Sequence, residues 1–433
     1  MVASPSWKVG YAEADITPAI GEAMMSGFGR ERYATGVVSP LRAQAIVLED
    51  AEGHRAAIVA SDVLGYARVL VDAFRHKIEF EYGIPPSAVA FPCSHTHCGP
   101  AVNYGLNFAV GGLNVWYLAR LEQVFVDLVG EGIRSLSPAQ IEFGETEVQI
   151  GMNRRLVTSE GVRSGPNPDG IYDRHTPVLR IRRRRSPRSL VVVNHACHPT
   201  STGAYHKWSP DWPGAMRRHI ESRIDDTRAL FVKGCGADAN VVYRDSKSGA
   251  YAFSRDPVRS RRAGARLGRH VVKFLEADRL VPLQASLATT ISSGALSLKR
   301  ARSRVALKDL AMAGNAGSHL TWWARQSLAY PDPRKTVAYD VQAWRLGSLT
   351  QFWLEGEVCA DLGVATRSLV DGPVATAGYT NACPGYISSA RLIREGGYEG
   401  DTSHMAYFLP APFAEKSEDE FLTLCRKAVR DLG

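Results

Sequence analysis

Two short segments carry the histidines best placed for chemistry. The first is Ser94-His95-Thr96-His97, which runs on into Cys98-Gly99-Pro100. Read as the end of a strand through Ala88-Val89-Ala90-Phe91, its two imidazoles at i and i+2 face the same side. The second is Asn194-His195-Ala196-Cys197-His198-Pro199-Thr200, at the end of the apolar run Val191-Val192-Val193. Neutral imidazole is a common zinc ligand. Two strands that each end in histidine therefore point to one rim that could hold a metal. Satisfied core histidines are the competing reading of the His95–His97 pair. Zinc also wants a carboxylate or a third nitrogen. Glu357 offers one, in Leu354-Glu355-Gly356-Glu357-Val358, where Gly356 lets the chain turn after a strand-like run; a surface-loop carboxylate would look the same. Asp62 and Asp238 sit at strand ends, placed either to orient ligand histidines or to cap helices.

The elements that must hold these residues alternate in type. Strands are expected over 41–50 and 55–62, near 140–150, 177–183 and 189–195, and through Leu230-Phe231-Val232. Helices are expected over 67–82, 114–135, 213–223, 257–276 and 416–430, while 286–298 and 335–354 are rich in β-prone residues. The pattern predicts a mixed α/β fold with more than one β-sheet and flanking helices. It is expected as a single domain over 1–433, with a helical covering subdomain near 300–334. No glycine-rich phosphate loop follows a strand, which argues against a doubly wound nucleotide-binding sheet.

Apolar residues make up 45% of the chain and charged residues 22%, which excludes a disordered, collagen-like or coiled-coil protein. No apolar run is long enough to span a bilayer, and the first residues lack the apolar core of a signal peptide. A cytoplasmic protein with no stable membrane insertion is therefore expected. Lys plus Arg number 52 against 44 Asp plus Glu, a net charge of +8. Much of the excess lies in Arg180, Arg182, Arg183, Arg184, Arg185 and Arg188. No aromatic residue interleaves them as a base-stacking surface requires, and apolar strands flank Ser186-Pro187, so the cluster reads as a hairpin tip with no nucleic-acid partner. The seven cysteines are scattered and form no CxxC pair, so neither a disulfide framework nor a cysteine zinc site is expected.

Taken together, the motifs resemble those of the neutral/alkaline ceramidase family. They are Gly10 followed by Asp15-Ile16-Thr17, His95-Thr96-His97-Cys98-Gly99-Pro100, Asn153-Arg154, His198-Pro199-Thr200-Ser201, Gly356-Glu357, and Asn381 to Tyr386 followed by Tyr398-Glu399. They keep the family's order from residue 10 to about residue 403. The resemblance implies the zinc-containing catalytic domain, with one Zn2+ held by His95, His198, Glu357 and Tyr386, and with His97, Arg154 and Tyr398 facing a small-molecule substrate. The family's C-terminal immunoglobulin-like domain has no counterpart before Gly433. Where the family carries a serine proposed as nucleophile, this chain has Gly234 in Lys233-Gly234-Cys235-Gly236-Ala237-Asp238. The expected reaction is therefore attack by zinc-bound water on an amide, either N-acyl or cyclic, of a small soluble substrate. His97 would act as acid and base, and Arg154 and Tyr398 would steady the developing charge. Cys235 is the one nearby side chain that could form a covalent intermediate. A zinc esterase or lactonase, a true ceramidase, and a non-catalytic binding protein of the same fold are the alternatives. The oligomeric state is not legible in the sequence.

Overall fold

The structure, a computed structural model, describes residues 6–28, 32–106, 112–313 and 318–433. Among the described residues the largest element is a nine-stranded mixed sheet. Its order is Thr227–Lys233, Ser189–His195, His175–Arg183, Ser137–Glu147, Trp7–Asp15, Arg42–Glu49, Arg55–Ser61 and Val89–Ala90, with Val281–Pro282 beside Ser137–Glu147. Only the outermost pairs are parallel: Thr227–Lys233 with Ser189–His195, and Arg55–Ser61 with Val89–Ala90. Both histidine motifs follow strands of these pairs. The sheet curls enough for its two limbs to meet, as sheet twist allows. Gln44 Nε2 on one limb donates to Ala229 O on the other at 3.1 Å.

Ser189–His195 has a neighbour on each side, and its side chains enter two cores. Leu190 and Val192 join one, Val191 and Val193 the other. A strand buried on both faces needs an unbroken apolar run, and that is how this one reads. Helices Arg68–Tyr82 and Val115–Arg134 cover the first face. The second starts at Asn114, whose side chain accepts from Tyr117 N, a normal N-cap. It buries Leu118, Leu121, Phe125 and Val129 on one stripe. The helix lies so close to the sheet that a Cβ on Gly10 would come within 1.8 Å of Gly132 O. Helices Asp211–Glu221 and Pro257–Glu276 pack as a pair over the other face. The first begins at Asp211, two residues before the expected start, with Pro213 in its first turn.

A second sheet joins Tyr251–Phe253, Ala239–Arg244, Gly151–Thr158 and Gly161–Asn167. A third joins Leu287–Ser297, Thr336–Leu346, Leu349–Leu354 and Val374–Ala377, and helix Ser417–Asp431 packs on it through Phe421 and Leu424. The mixed α/β architecture with several sheets is thus as expected. The 300–334 stretch contains helices Arg304–Ala313 and His319–Ala329, and Trp323 Nε1 donates to Leu409 O at 3.0 Å. The arginine-rich segment is a hairpin, with Arg180 and Arg182 paired to Glu142 at 2.6 and 2.5 Å. All seven cysteines are buried and free. No helix among the described residues is long and apolar enough to cross a membrane.

Candidate metal centre and catalytic site

The chain reaches His95 from an aromatic cluster. Phe91 packs on Phe74 and Phe125, with ring centroids 5.4 and 6.0 Å away, contacts worth roughly 0.5–1.5 kcal/mol each beyond burial. Asn381 fixes the same segment from the far side. Its Oδ1 accepts from Phe91 N, and its own backbone N–H donates to Phe91 O, both at 3.0 Å. The segment then departs from the expected strand end. His95 takes a left-handed conformation with φ 61°, uncommon for a residue with a Cβ. It is held there by His95 N–H donating to Val63 O at 3.0 Å. The meeting of His95 and His97 comes from this turn and not from strand alternation.

His95 Nδ1 lies 2.5 Å from Leu64 O. A carbonyl only accepts, so Nδ1 carries the proton and the Nε2 lone pair faces inward. Three groups surround that lone pair. His198 Nε2 is 3.1 Å away, Glu357 Oε2 3.2 Å and His97 Nε2 3.3 Å. His198 Nε2 and Glu357 Oε2 are themselves 3.3 Å apart. His95, His198 and Glu357 thus form a closed triangle. With zinc–ligand distances of about 2.0–2.1 Å, the edge of a coordination tetrahedron is about 3.3 Å. The triangle has the size of one face of that tetrahedron, and His97 stands off one corner of it. Two neutral nitrogens and one carboxylate oxygen are also the donor set of hydrolytic zinc sites that keep a fourth position open.

The protonation states suit a cation. Burial, and then the Arg154 charge, push His198 well below the usual imidazole range, so it is neutral. Burial alone would raise the Glu357 carboxyl, but its neighbours, the Tyr407 O–H and the Arg154 charge among them, hold it below the usual range. Tyr407 O–H donates to Glu357 Oε1, and Tyr379 O–H to Oε2 at 3.3 Å. Neither phenol was expected at the site, because neither lies in a recognisable motif.

His95, His97, Glu357 and Tyr407 line a cavity of about 490 Å³ together with Arg154, Tyr386 and Tyr398, and His198 and Tyr379 lie buried behind them. A sequence model of the N-terminal part of the neutral/alkaline non-lysosomal ceramidases matches residues 7–242. The chain belongs to the neutral/alkaline non-lysosomal ceramidase family. The crystal structure of neutral ceramidase from Pseudomonas aeruginosa has the same fold, with TM-score 0.78 and 18% identity over 98% of this chain and 74% of that one. A ceramidase complexed with C2 matches at TM-score 0.77 and 18% identity, over 99% of this chain and 76% of that one. No curated protein matches in sequence. The ceramidase family match takes in His95, His97, Arg154 and His198. Glu357, Tyr386 and Tyr398 lie beyond it, where the fold is shared.

Glu357 and Tyr386 are brought together by a short parallel pairing, Glu357–Val358 with Tyr386–Ile387, in which the two residues are direct partners. The Tyr386 hydroxyl accepts from Arg154 Nη2 at 3.0 Å. Arg154 is fixed from behind by Glu399, with Nε to Oε1 at 2.7 Å. Tyr398 packs edge-on against Tyr386, ring centroids 5.2 Å apart. Glu399 adjoins Tyr398 in the family motif, but nothing in the sequence says that it anchors Arg154.

Other polar groups named from the sequence take supporting positions. Asp62 touches no histidine; its Oδ2 pairs with Arg217 Nη2 at 2.5 Å and accepts from Arg42 N. Asp238 accepts from Ala360 N at 2.9 Å, capping helix Ala360–Arg367, and from Asn153 Nδ2 at 2.9 Å. His195 faces away from the site, against Tyr172 O–H at 3.0 Å and Thr176 Oγ1 at 2.9 Å. Cys235 lies in the core under Gly363, and burial pushes its thiol up to about 12.

Proposed function

We propose that this ceramidase-family chain is a zinc-dependent amidohydrolase that cleaves an N-acyl or cyclic amide of a small soluble substrate. The observation that carries the reading is the His95–His198–Glu357 triangle, with edges of 3.1–3.3 Å, beside a cavity that His95 and Glu357 line. His95, His198, Glu357 and Tyr386 would hold one zinc ion, which would supply a Lewis acid able to lower the pKa of water to about 7.

The chain's own groups do the rest. Leu64 O fixes the His95 tautomer, and Tyr407 and Tyr379 hold the Glu357 carboxylate in place. His97, partly exposed in the cavity, takes a proton from the attacking water at its imidazole and returns it to the leaving nitrogen. The new C–O bond comes from water and the C–N bond breaks, giving an acid and an amine, both on one molecule where the amide is cyclic. Tyr398 O–H donates to the carbonyl oxygen as charge develops there. Arg154 adds its positive charge and, through Nη2, sets the direction of the Tyr386 hydroxyl. No protein nucleophile is needed: Gly234 has no side chain, and the Cys235 thiol is buried and protonated. A cavity of this volume suits a small ligand. Seven free, buried cysteines support a reducing compartment such as the cytoplasm as the enzyme's location.

The test is hydrolysis of a panel of N-acyl amides, lactams, lactones and ceramide, with products identified by mass spectrometry. Activity on small amides that a chelator removes and zinc restores is the expected result. Faster turnover of lactones or ceramide than of every small amide would reject the substrate class, and no hydrolysis of any substrate by the zinc-loaded protein would reject the enzyme reading.

A further inference from the structure

The cavity has two unlike ends. Its floor is charge-matched: Glu357 faces the histidines and two phenols, and Glu399 is taken up by Arg154 and Arg155. Its walls are apolar, from Phe28, Leu106, Val162 and Phe253. Toward solvent it carries two exposed arginines, Arg163 and Arg255. Neither side chain has an ion-pair or hydrogen-bond partner among the described residues. Arg163 lies on the Gly161–Asn167 strand, and Arg255 follows Tyr251–Phe253, so both belong to the second sheet or its edge. The positive charge continues past Ser254, which lines the cavity and also a neighbouring groove of about 380 Å³. That groove contains Arg244, Arg259, Arg262 and Arg266 and no lining carboxylate, and the Arg259 guanidinium stacks 3.5 Å from the Tyr243 ring.

We propose that the substrate carries an anionic group, a carboxylate or a phosphate, at the end away from the scissile amide, and that Arg163 and Arg255 bind it. The inference rests on the amidohydrolase reading of the same cavity and adds the substrate's charge. An apolar limb between the amide and the anion would fill the walls, while the arginines select its end. Guanidinium suits this role because it pairs with carboxylate and phosphate through a planar fork. The rim has no internal counter-charge to displace, so a ligand anion meets it without breaking an existing pair.

The experiment compares amides that share one acyl–amine core and end in a hydroxyl, a carboxylate or a phosphate. The end group is placed on the acyl limb in one set and on the amine limb in the other. Wild-type protein should show kcat/KM about tenfold higher for the better anionic probe than for its neutral partner, mainly through KM. The double variant Arg163→Gln/Arg255→Gln should bring that ratio to within about twofold, and added salt should lower it in the wild type. Carboxylate leading or phosphate leading both support the proposal and identify the anion. Equal kcat/KM for all end groups, or a preference that survives in the double variant, overturns it. Calorimetry with the same probes separates the two readings. Arginine-dependent binding of the anionic probe without hydrolysis supports the rim and rejects the hydrolase. If the double variant loses activity only on neutral amides presented in phosphatidylglycerol vesicles, and not in phosphatidylcholine vesicles, the rim meets a membrane and the proposal fails.

Discussion

Two neighbouring strand ends set the chemistry of this molecule apart from its scaffold. Ser189–His195 and Thr227–Lys233 run parallel, with Lys233 directly beside His195. Each is followed by a tight turn with a cysteine. The first turn continues to His198, whose backbone bridges Asn240 and whose ring reaches the site. The second turn folds inward. A Cβ on Gly234 would lie 2.8 Å from Asn194 Oδ1 and 3.1 Å from Ala196 N, so the position has no room for a serine. Lys233 points beneath the site, where its Nζ sits 4.0 Å from the Tyr379 ring centre, a cation–π contact. Tyr379 in turn donates to Glu357. One strand end leads to a histidine of the candidate metal centre; beside it, the same kind of sequence supplies packing and support.

The sharpest way to break this contrast is to exchange its two histidines. His198→Ala should reduce activity below detection, because it removes one corner of the ligand triangle. His195→Gln should cost about 1–3 kcal/mol of stability through its lost hydrogen bonds, with turnover per folded molecule largely kept. Equal losses of turnover in both variants would erase the distinction. Lys233 gives the next largest effect. Burial pushes its pKa down to about 8, so it binds its proton more weakly folded than unfolded. Below pH 8 the amine is charged in both states and its burial opposes folding in full. Above about pH 10.5 it is neutral in both. Stability should therefore rise between those values by up to roughly 3 kcal/mol, relative to Lys233→Met, in denaturant titrations at each pH. A parallel pair of profiles would show that Lys233 is not held as described.

Gly234→Ser should destabilise by about 1–3 kcal/mol through overpacking and create no acyl-enzyme. The smallest change is expected for Cys235→Ala, with kcat within about twofold of wild type. An acyl group trapped on Cys235 during turnover, seen by mass spectrometry, would overturn both the buried assignment and the water mechanism.

The sequence made some of this contrast legible. Helices 257–276 and 114–135 were readable because their apolar stripes and caps are local properties. The histidine motifs were readable because zinc chemistry limits which residues can serve. Other features depend on tertiary contacts that leave no local pattern. Glu357 looks like a loop carboxylate until its strand pairs with Tyr386. Tyr379 and Tyr407 read as ordinary aromatic residues until the chain brings their hydroxyls to Glu357. Asp62 and Asp238 sit beside strands, and only distant segments decide that one meets Arg217 and the other a helix N-terminus. His95 looked like part of a strand, because nothing in Ser94-His95-Thr96 announces a left-handed residue.

The central claim is that His95, His198 and Glu357, with Tyr386, hold one zinc ion that the reaction needs. Elemental analysis of protein purified without added metal, set beside turnover of the same samples as zinc is stripped and returned, tests it most directly. The account predicts close to one zinc per chain, activity proportional to zinc content, and a large loss of bound zinc in His198→Ala. A metal-free preparation with full activity would contradict it.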